Sequence, residues 1–301
     1  MAWLSQSKLV LRSDVLEAMV NPPTVTQQIP ILMYHSISSC ASQRFRPNIV
    51  TPEALEEQLT YLEESHYTSV TVTHFVQAMA KGGYTLPSRP IILTFDDGYE
   101  DFYTQALPAL RCHGFTATLY ITTGFIDGTS RWLRAKEDTT RPMLTWKQLA
   151  EINANGIECG AHSHTHRPLD MLPLDVVYEE IVHSKKLLEE HLGQMVSSFA
   201  YPFGYYSDRV QQIVQEAGFA SACAVRLTMS SLFDNPYALA RLAIRPDTSV
   251  HALATALSTG CGPLIASSAK RVRRCLRYSV RRAYGRLRHS RVAVKYVRRR
   301  D

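Results

Sequence analysis

The chain of 301 residues has no long hydrophobic run. In its first nineteen residues, Lys8, Arg12, Asp14 and Glu17 interrupt the apolar positions. The longest apolar stretch there is too short for the core of a signal peptide or for a membrane-spanning helix, so a cytoplasmic location is the expectation. Cysteine is sparse and scattered: Cys40, Cys112, Cys159, Cys223, Cys261 and Cys275 include no Cys-x-x-Cys pair. That excludes a dense disulfide framework and suits a reducing compartment. Acidic residues almost vanish over 270–301, where fourteen Lys or Arg face one acid, a net of +13 that leaves residues 1–269 at −7 within a chain of +6. The basic tail is thus a separate physical object from a mildly acidic body. With 45% apolar and 20% charged residues, that body has the composition of an ordinary soluble enzyme and the length to bury a full core.

Residues 1–28 end in Asn21-Pro22-Pro23-Thr24 and read as a short helical arm and linker. From Ile29 onward strands alternate with helices. Strands are expected at 30–35, 91–95, 117–121, 157–160, 197–201, 220–225 and 239–244. Helices are expected at 52–64, 99–112, 145–153, 174–190, 207–216 and 250–257. Thr51-Pro52 starts the first helix with a capping hydroxyl and a proline in the first turn. Gly114, Gly156, Gly193 and Gly218 stand where helices should end. Regular βα alternation with short turns implies parallel strands with helices outside them, most simply a barrel, and in such barrels chemistry gathers at the C-terminal strand ends. The segment from Gly128-Thr129-Ser130-Arg131-Trp132 to Arg141-Pro142 has no periodicity and reads either as a rim excursion that shapes a groove or as a solvated loop.

Two motifs stand at those strand ends. Thr94-Phe95-Asp96-Asp97-Gly98 closes an apolar strand, and neighbouring residues at a strand end point in different directions, so one carboxylate can hold a metal while the other faces a reacting water. His162 and His166, in Gly160-Ala161-His162-Ser163-His164-Thr165-His166, have a metal-ligand spacing, with His164 pointing elsewhere. Alone, the first also suits a simple turn and the second an exposed polar loop. One Asp with two His leaves a coordination position open, as catalytic metal sites do.

These residues resemble a known family. Thr94 to Gly98 and His162-Ser163-x-x-His166 look like the first two motifs of the polysaccharide deacetylases, carbohydrate esterase family 4, related to the nodulation-type chitooligosaccharide deacetylases. Ala200-Tyr201-Pro202-Phe203-Gly204 fits the third motif, and Ile31-Leu32-Met33-Tyr34-His35-Ser36-Ile37 is similar to the subgroup that de-N-acetylates poly-N-acetylglucosamine exopolysaccharides. The resemblance covers 29–257. It implies an α/β fold, a distorted (β/α) barrel with about seven parallel strands in the region 29–260; the basic helical tail over 261–301 is read from its own charge and spacing. It also implies a divalent metal on Asp97, His162 and His166, with Zn2+ the default and Co2+, Ni2+ or Fe2+ possible replacements. Asp96 is then the base that takes the proton of water. Most of the family draws its acid from a late His segment that is missing here, since His251 lies in a different context. In the exopolysaccharide subgroup the acid lies on the first strand, where His35 matches, although a buried structural His also fits.

The family's third motif carries an Arg where this chain has Ala200. Arg241 is the expected substitute as the partner of Asp96, with Arg245 next and a surface Arg as the plain alternative. The Phe203 N–H, in the turn Pro202-Phe203-Gly204, is placed to donate to an oxyanion, Pro202 and Phe203 to contact the substrate, and Tyr99, Tyr201 and Tyr205 to stack on sugar, with Tyr201 also suited to the core. The implied reaction is removal of acetyl groups from N-acetylated amino sugars in a poly- or oligosaccharide, an exopolysaccharide or a lipid-linked glycan. The alternatives are a metal-dependent amidohydrolase of a small non-carbohydrate amide and an inactive sugar-binding domain. In the tail, Val272, Leu276, Val280, Ala283 and Leu287 recur at helical spacing among arginines, which suits peripheral contact with an anionic membrane. Nucleic-acid binding is the less favoured explanation of that charge, and a disordered solubilising tail the plain one.

Overall fold

The computed structural model describes residues 28–82, 85–226 and 228–260. The N-terminal arm and the basic tail, with Cys261 and Cys275, lie outside the described residues. Seven parallel strands form the centre: β1 (Ile31–Tyr34), β2 (Pro90–Phe95), β3 (Thr118–Ile121), β4 (Glu158–Ala161), β5 (Ser198–Ala200), β6 (Ser221–Cys223) and β7 (Leu242–Ala243). Their spatial order is β6-β5-β4-β3-β2-β1-β7, and Thr68–Ser69 adds a short parallel strand at the start of β2. β1 and β2 are buried along their whole length, which is why they read as unbroken apolar runs and not as alternating ones.

The last segment joins the two edges of the curled sheet. Leu239 exchanges hydrogen bonds with β6, donating to Ala222 (3.0 Å) and accepting from Ala224 (2.8 Å), while Leu242 and Ala243 pair with Leu32 and Met33 of β1. The fold is therefore a distorted barrel whose seventh staple is short.

Helices pack outside. α1 (Pro52–Glu64) starts at Thr51, whose side chain accepts from the Ala54 N–H, and buries Leu55, Leu59 and Leu62. α2 (Val72–Ala80) stands where no helix was expected. Val70-Thr71-Val72-Thr73 is β-branched and reads as strand, but Thr71 caps a turn by accepting from the His74 N–H, and Val72, Phe75 and Ala78 are buried. Tertiary packing overrides propensity here, because Val72 and Phe75 close a cluster with Ile29, Ile31, Ile92 and Tyr120. The expected helix 99–112 is split into a π-turn over Phe102–Ala106 and α3 (Leu107–Cys112). Pro108 has no N–H to give the preceding turn, which is reason enough for the wider turn before it. α4 (Trp146–Ala154), α5 (Leu174–Leu192), α6 (Asp208–Glu216) and α7 (Val250–Thr259) complete the ring. Thr145, Ser207 and Ser249 cap α4, α6 and α7, each accepting a backbone N–H within the first turn.

The N-terminal end of the barrel is closed by polar groups as well as by α2. Glu158 accepts from the Thr73 N–H (3.1 Å) and from the hydroxyls of Thr73 (2.6 Å), Thr118 (2.8 Å) and Ser198 (2.7 Å). Above it the lumen is tight. A Cβ on Gly160 would meet the Tyr120 ring at 2.6 Å, so glycine is required for close approach. Cys40, Cys112, Cys159 and Cys223 are free. No described helix is long and apolar enough to cross a membrane.

Candidate active site

Asp96 and Asp97 leave β2 at the C-terminal rim. The Asp96 N–H still donates to Tyr34 of β1 (3.0 Å), after which Asp97 (φ 80°) and Gly98 (φ 84°) both turn left-handed. A non-glycine residue in that region is strained, and the strain separates the two carboxylates. Both are buried. Asp96 faces Arg241, which is itself fully buried and donates through two prongs, at 2.7 Å and 2.8 Å. The same guanidinium donates to Thr94 (3.2 Å) and to the Ala224 carbonyl (3.2 Å). Burial pushes the Asp96 pKa upward, but Arg241 outweighs it and holds the carboxyl below its ordinary range. Arg241 bonds both Asp96 oxygens, one through each prong, and leaves each with a further lone pair.

Asp97 meets the two histidines. One ligand atom from each of Asp97, His162 and His166 lies within 4.8 Å of the others, the one such group among the described residues. Nε2 of His166 is 3.1 Å and Nε2 of His162 is 3.5 Å from Oδ1 of Asp97. His162 donates its Nδ1–H to the Ala200 carbonyl (2.7 Å), which leaves the Nε2 lone pair free to bind a cation. Burial pulls the His162 pKa down to about 4 against the nearby carboxylates, so its ring is neutral at pH 7. Asp97 is held well below the ordinary range: burial opposes this, and the neighbouring His166 outweighs it. Its Oδ2 accepts from the Tyr99 hydroxyl (2.7 Å), whereas Oδ1 is buried and accepts no hydrogen bond. An ionised oxygen without a donor, facing two imidazole nitrogens, is a donor set that fits a divalent cation.

The remaining expected residues are placed as follows. His35 is half-buried at the end of β1, close enough to act electrostatically on Asp96 and Asp97. Phe203 is 52% exposed with φ 62°, at the third position of a turn closed by the Gly204 N–H on the Tyr201 carbonyl (2.8 Å). Its ring meets that of His166 edge-on, with centroids 4.8 Å apart, and Tyr205 stacks behind it at 6.3 Å. His164 turns away, to Thr123 (2.9 Å) and His183.

Two of the expected sugar contacts need correction. Tyr99 is 1% exposed, its hydroxyl is spent on Asp97 and its ring lies under Trp132, so it is a support for Asp97 and has no free face for a sugar. Pro202 is buried and shapes the turn that presents Phe203, offering no surface of its own. Tyr201 is core, stacked on Tyr206 with its hydroxyl on the Tyr237 carbonyl (3.1 Å).

Sequence reasoning missed Trp132 as a site residue. Its ring centroid is 5.6 Å from His166, 6.1 Å from Tyr99 and 4.5 Å from Phe125. The available signal was a lone tryptophan inside a polar, aperiodic excursion. Arg141, from the end of that excursion, lies over the Phe45 ring (4.7 Å) and donates to Cys40 (2.9 Å) and Asp138 (3.3 Å), which fixes the loop to the rim. Asp101 stands beside it with a pKa pushed up to about 6, burial outweighing the donors Ser36, Ile37 N–H and Arg141.

Comparison with known proteins supports the same reading. Residues 83–222 match the model of the family described as Polysaccharide deacetylase. The Bacillus subtilis protein YxkH, whose name assigns it to the polysaccharide deacetylases, is 28% identical over 222 residues, 74% of this chain and 73% of that protein. A poly-beta-1,6-N-acetyl-D-glucosamine N-deacetylase of Staphylococcus aureus is 22% identical over 220 residues, 70% of this chain and 73% of that one. Among solved structures, the Streptococcus pyogenes deacetylase PplD in complex with acetate superposes with a TM-score of 0.68 at 27% identity, covering 77% of this chain and 99% of that one. Motif order, barrel and relatives agree on a polysaccharide deacetylase domain, matched by the family model over residues 83–222.

Proposed function

We propose that this chain removes acetyl groups from N-acetylated amino sugars in a poly- or oligosaccharide, at a divalent metal held by Asp97, His162 and His166. The observation that carries the reading is Oδ1 of Asp97, buried without a donor and facing two imidazole Nε2 atoms. The family and the named activity of the Staphylococcus aureus relative support the substrate class. Zn2+ suits a site of one carboxylate and two imidazoles.

When bound, such an ion supplies Lewis-acid polarisation of the acetyl carbonyl and a lower pKa for water. The chain's own groups do the rest. Asp96 accepts the proton of the attacking water, and the two-pronged Arg241 keeps it ionised and aimed. The Phe203 N–H donates to the carbonyl oxygen as charge develops on it. His35 gives a proton to the departing sugar amine, so that acetate and a free amine leave. The test is acetate release from defined N-acetylated oligosaccharides and from small N-acetyl amides, with metal-loaded and chelator-treated protein. Release from the oligosaccharides that disappears on chelation is expected. Equal release with and without chelator, or release from the small amides alone, overturns the proposal.

A further inference from the structure

One buried acid takes no part in the chemistry described above. Glu180 lies on the inward face of α5 with Val177, Ile181, Ser184 and Leu188, and only 6% of it is exposed. A carboxylate is costly at a position that the helix pattern reserves for apolar side chains, unless hydrogen bonds compensate. Its partner is a single residue. One oxygen accepts from the Thr165 N–H (2.7 Å) and the other from the Thr165 hydroxyl. The Glu180 carbonyl also accepts from the His164 N–H (3.0 Å).

Thr165 immediately precedes His166, and the loop it belongs to is strained. Ser163 (φ 63°) and His166 (φ 55°) both adopt left-handed backbone, which is strained for non-glycine residues. Such a loop persists only where its surroundings determine it from more than one side. On one side the Gly124 N–H donates to the His164 carbonyl (2.7 Å), so close that a Cβ on Gly124 would stand 2.6 Å from that oxygen. Within the loop, Ser163 Oγ accepts from the His166 N–H (3.0 Å). Glu180 supplies a further hold, on Thr165.

We propose that Glu180 is a positioning residue for the metal centre: by gripping both donors of Thr165 it holds the strained loop that aims Nε2 of His166 at the cation. This inference rests on the metal reading of Asp97, His162 and His166. Removing the grip lets the loop relax toward ordinary backbone angles and swings one of three ligands away. Losing the groups that orient a ligand costs metal affinity about 10- to 100-fold, and here Glu180 orients His166 through Thr165.

The test uses the full chain, stripped by chelator and titrated with Zn2+, and with Co2+ for its visible absorption. Glu180→Gln and Thr165→Val should each weaken Zn2+ binding about 10- to 100-fold and alter the Co2+ spectrum. Thr165→Ser, which keeps both donors, should restore the wild-type affinity. Leu188→Ala, on the same buried face, should lower Tm while leaving affinity and spectrum unchanged. If Glu180→Gln does not fold, Thr165→Val, a change of one hydroxyl to methyl, carries the comparison. Wild-type affinity and an unchanged Co2+ spectrum in Glu180→Gln and Thr165→Val would overturn the assignment, whatever their Tm. Metal binding in wild type with no difference in the variants would fail this inference alone, whereas no binding in wild type would fail the metal reading with it.

Discussion

The two ends of the barrel treat a carboxylate in opposite ways: Glu158 is half-buried and Asp97 buried. At the N-terminal end each oxygen of Glu158 accepts two hydrogen bonds, from Thr73, Thr118 and Ser198. At the C-terminal end Asp97 has one oxygen satisfied by Tyr99 and the other by nothing. The first arrangement stores stability, because a half-buried acid recovers the cost of its lost solvation when its oxygens are saturated with donors. The second gives up stability and keeps an open place for a ligand. A single strand topology thus separates the part that holds the fold from the part that is left incomplete for chemistry.

The contrast breaks most completely at Asp97. In Asp97→Ala both metal binding and acetate release should fall below detection, while the metal-free protein keeps or gains Tm, since an unsatisfied buried charge is gone. A clear loss of metal-free Tm would mean that Asp97 belongs to the structural class instead. Asp96→Asn comes next. It should bind metal like wild type and lose roughly 10²- to 10⁴-fold in kcat, the span for a lost general base. Wild-type turnover there would refute the base assignment. At the other end, Glu158→Ala should cost about 3 kcal/mol in denaturant unfolding of the metal-free protein, because Thr118, Ser198 and the Thr73 N–H are left without their acceptor. Its Zn2+ affinity should not change; a matching loss of affinity would show that the two ends are not separable.

The smallest expected effect is a pH dependence away from both ends. His113 sits between Glu63 (2.5 Å) and Glu56 (2.9 Å) of α1. Burial lowers its pKa, but the hydrogen bonds to Glu63 and Glu56 outweigh this and raise it above the ordinary value. A raised folded-state pKa means that the stabilisation is fully present below about pH 6.5, the ordinary His value, and is lost as pH climbs through the folded one. The Tm gap between wild type and His113→Gln should therefore be widest in mild acid and close in alkali. A gap independent of pH would mean that packing, and not charge, is what the substitution removes.

Much of the architecture can be read from the residues alone, for a physical reason. β1 and β2 are apolar on both faces, Thr51, Thr145 and Ser207 announce helices, and Gly193 ends α5 in left-handed backbone, so local signals and tertiary structure agree. α2 is the counterexample, since Val70 and Val72 argue for strand and only the barrel's open end asks for a helix. At the site, the His162–His166 spacing and the Asp-Asp pair are written in the chain, and the fold brings Asp97 to both rings. What could not be read is which way an aromatic faces. Tyr99 and Tyr205 look equally suited to a sugar on paper; one is buried beneath Trp132 and the other is half-buried beside the exposed Phe203. Likewise nothing local ties Glu180 to Thr165, fifteen positions earlier on another element. Their pairing exists only once α5 has docked.

The bridging segment at 239–244 couples closure of the barrel to its chemistry. Because Leu239 and Leu242 stitch the sheet's edges together and Arg241 lies between them, the final stitch of the barrel is also what clamps Asp96. Under the proposed mechanism, a chain without that stitch has an untethered base and is silent. The contact that closes the sheet and the contact that holds the base are thus one piece of chain, so a substitution that loosens 239–244 is expected to act on both at once.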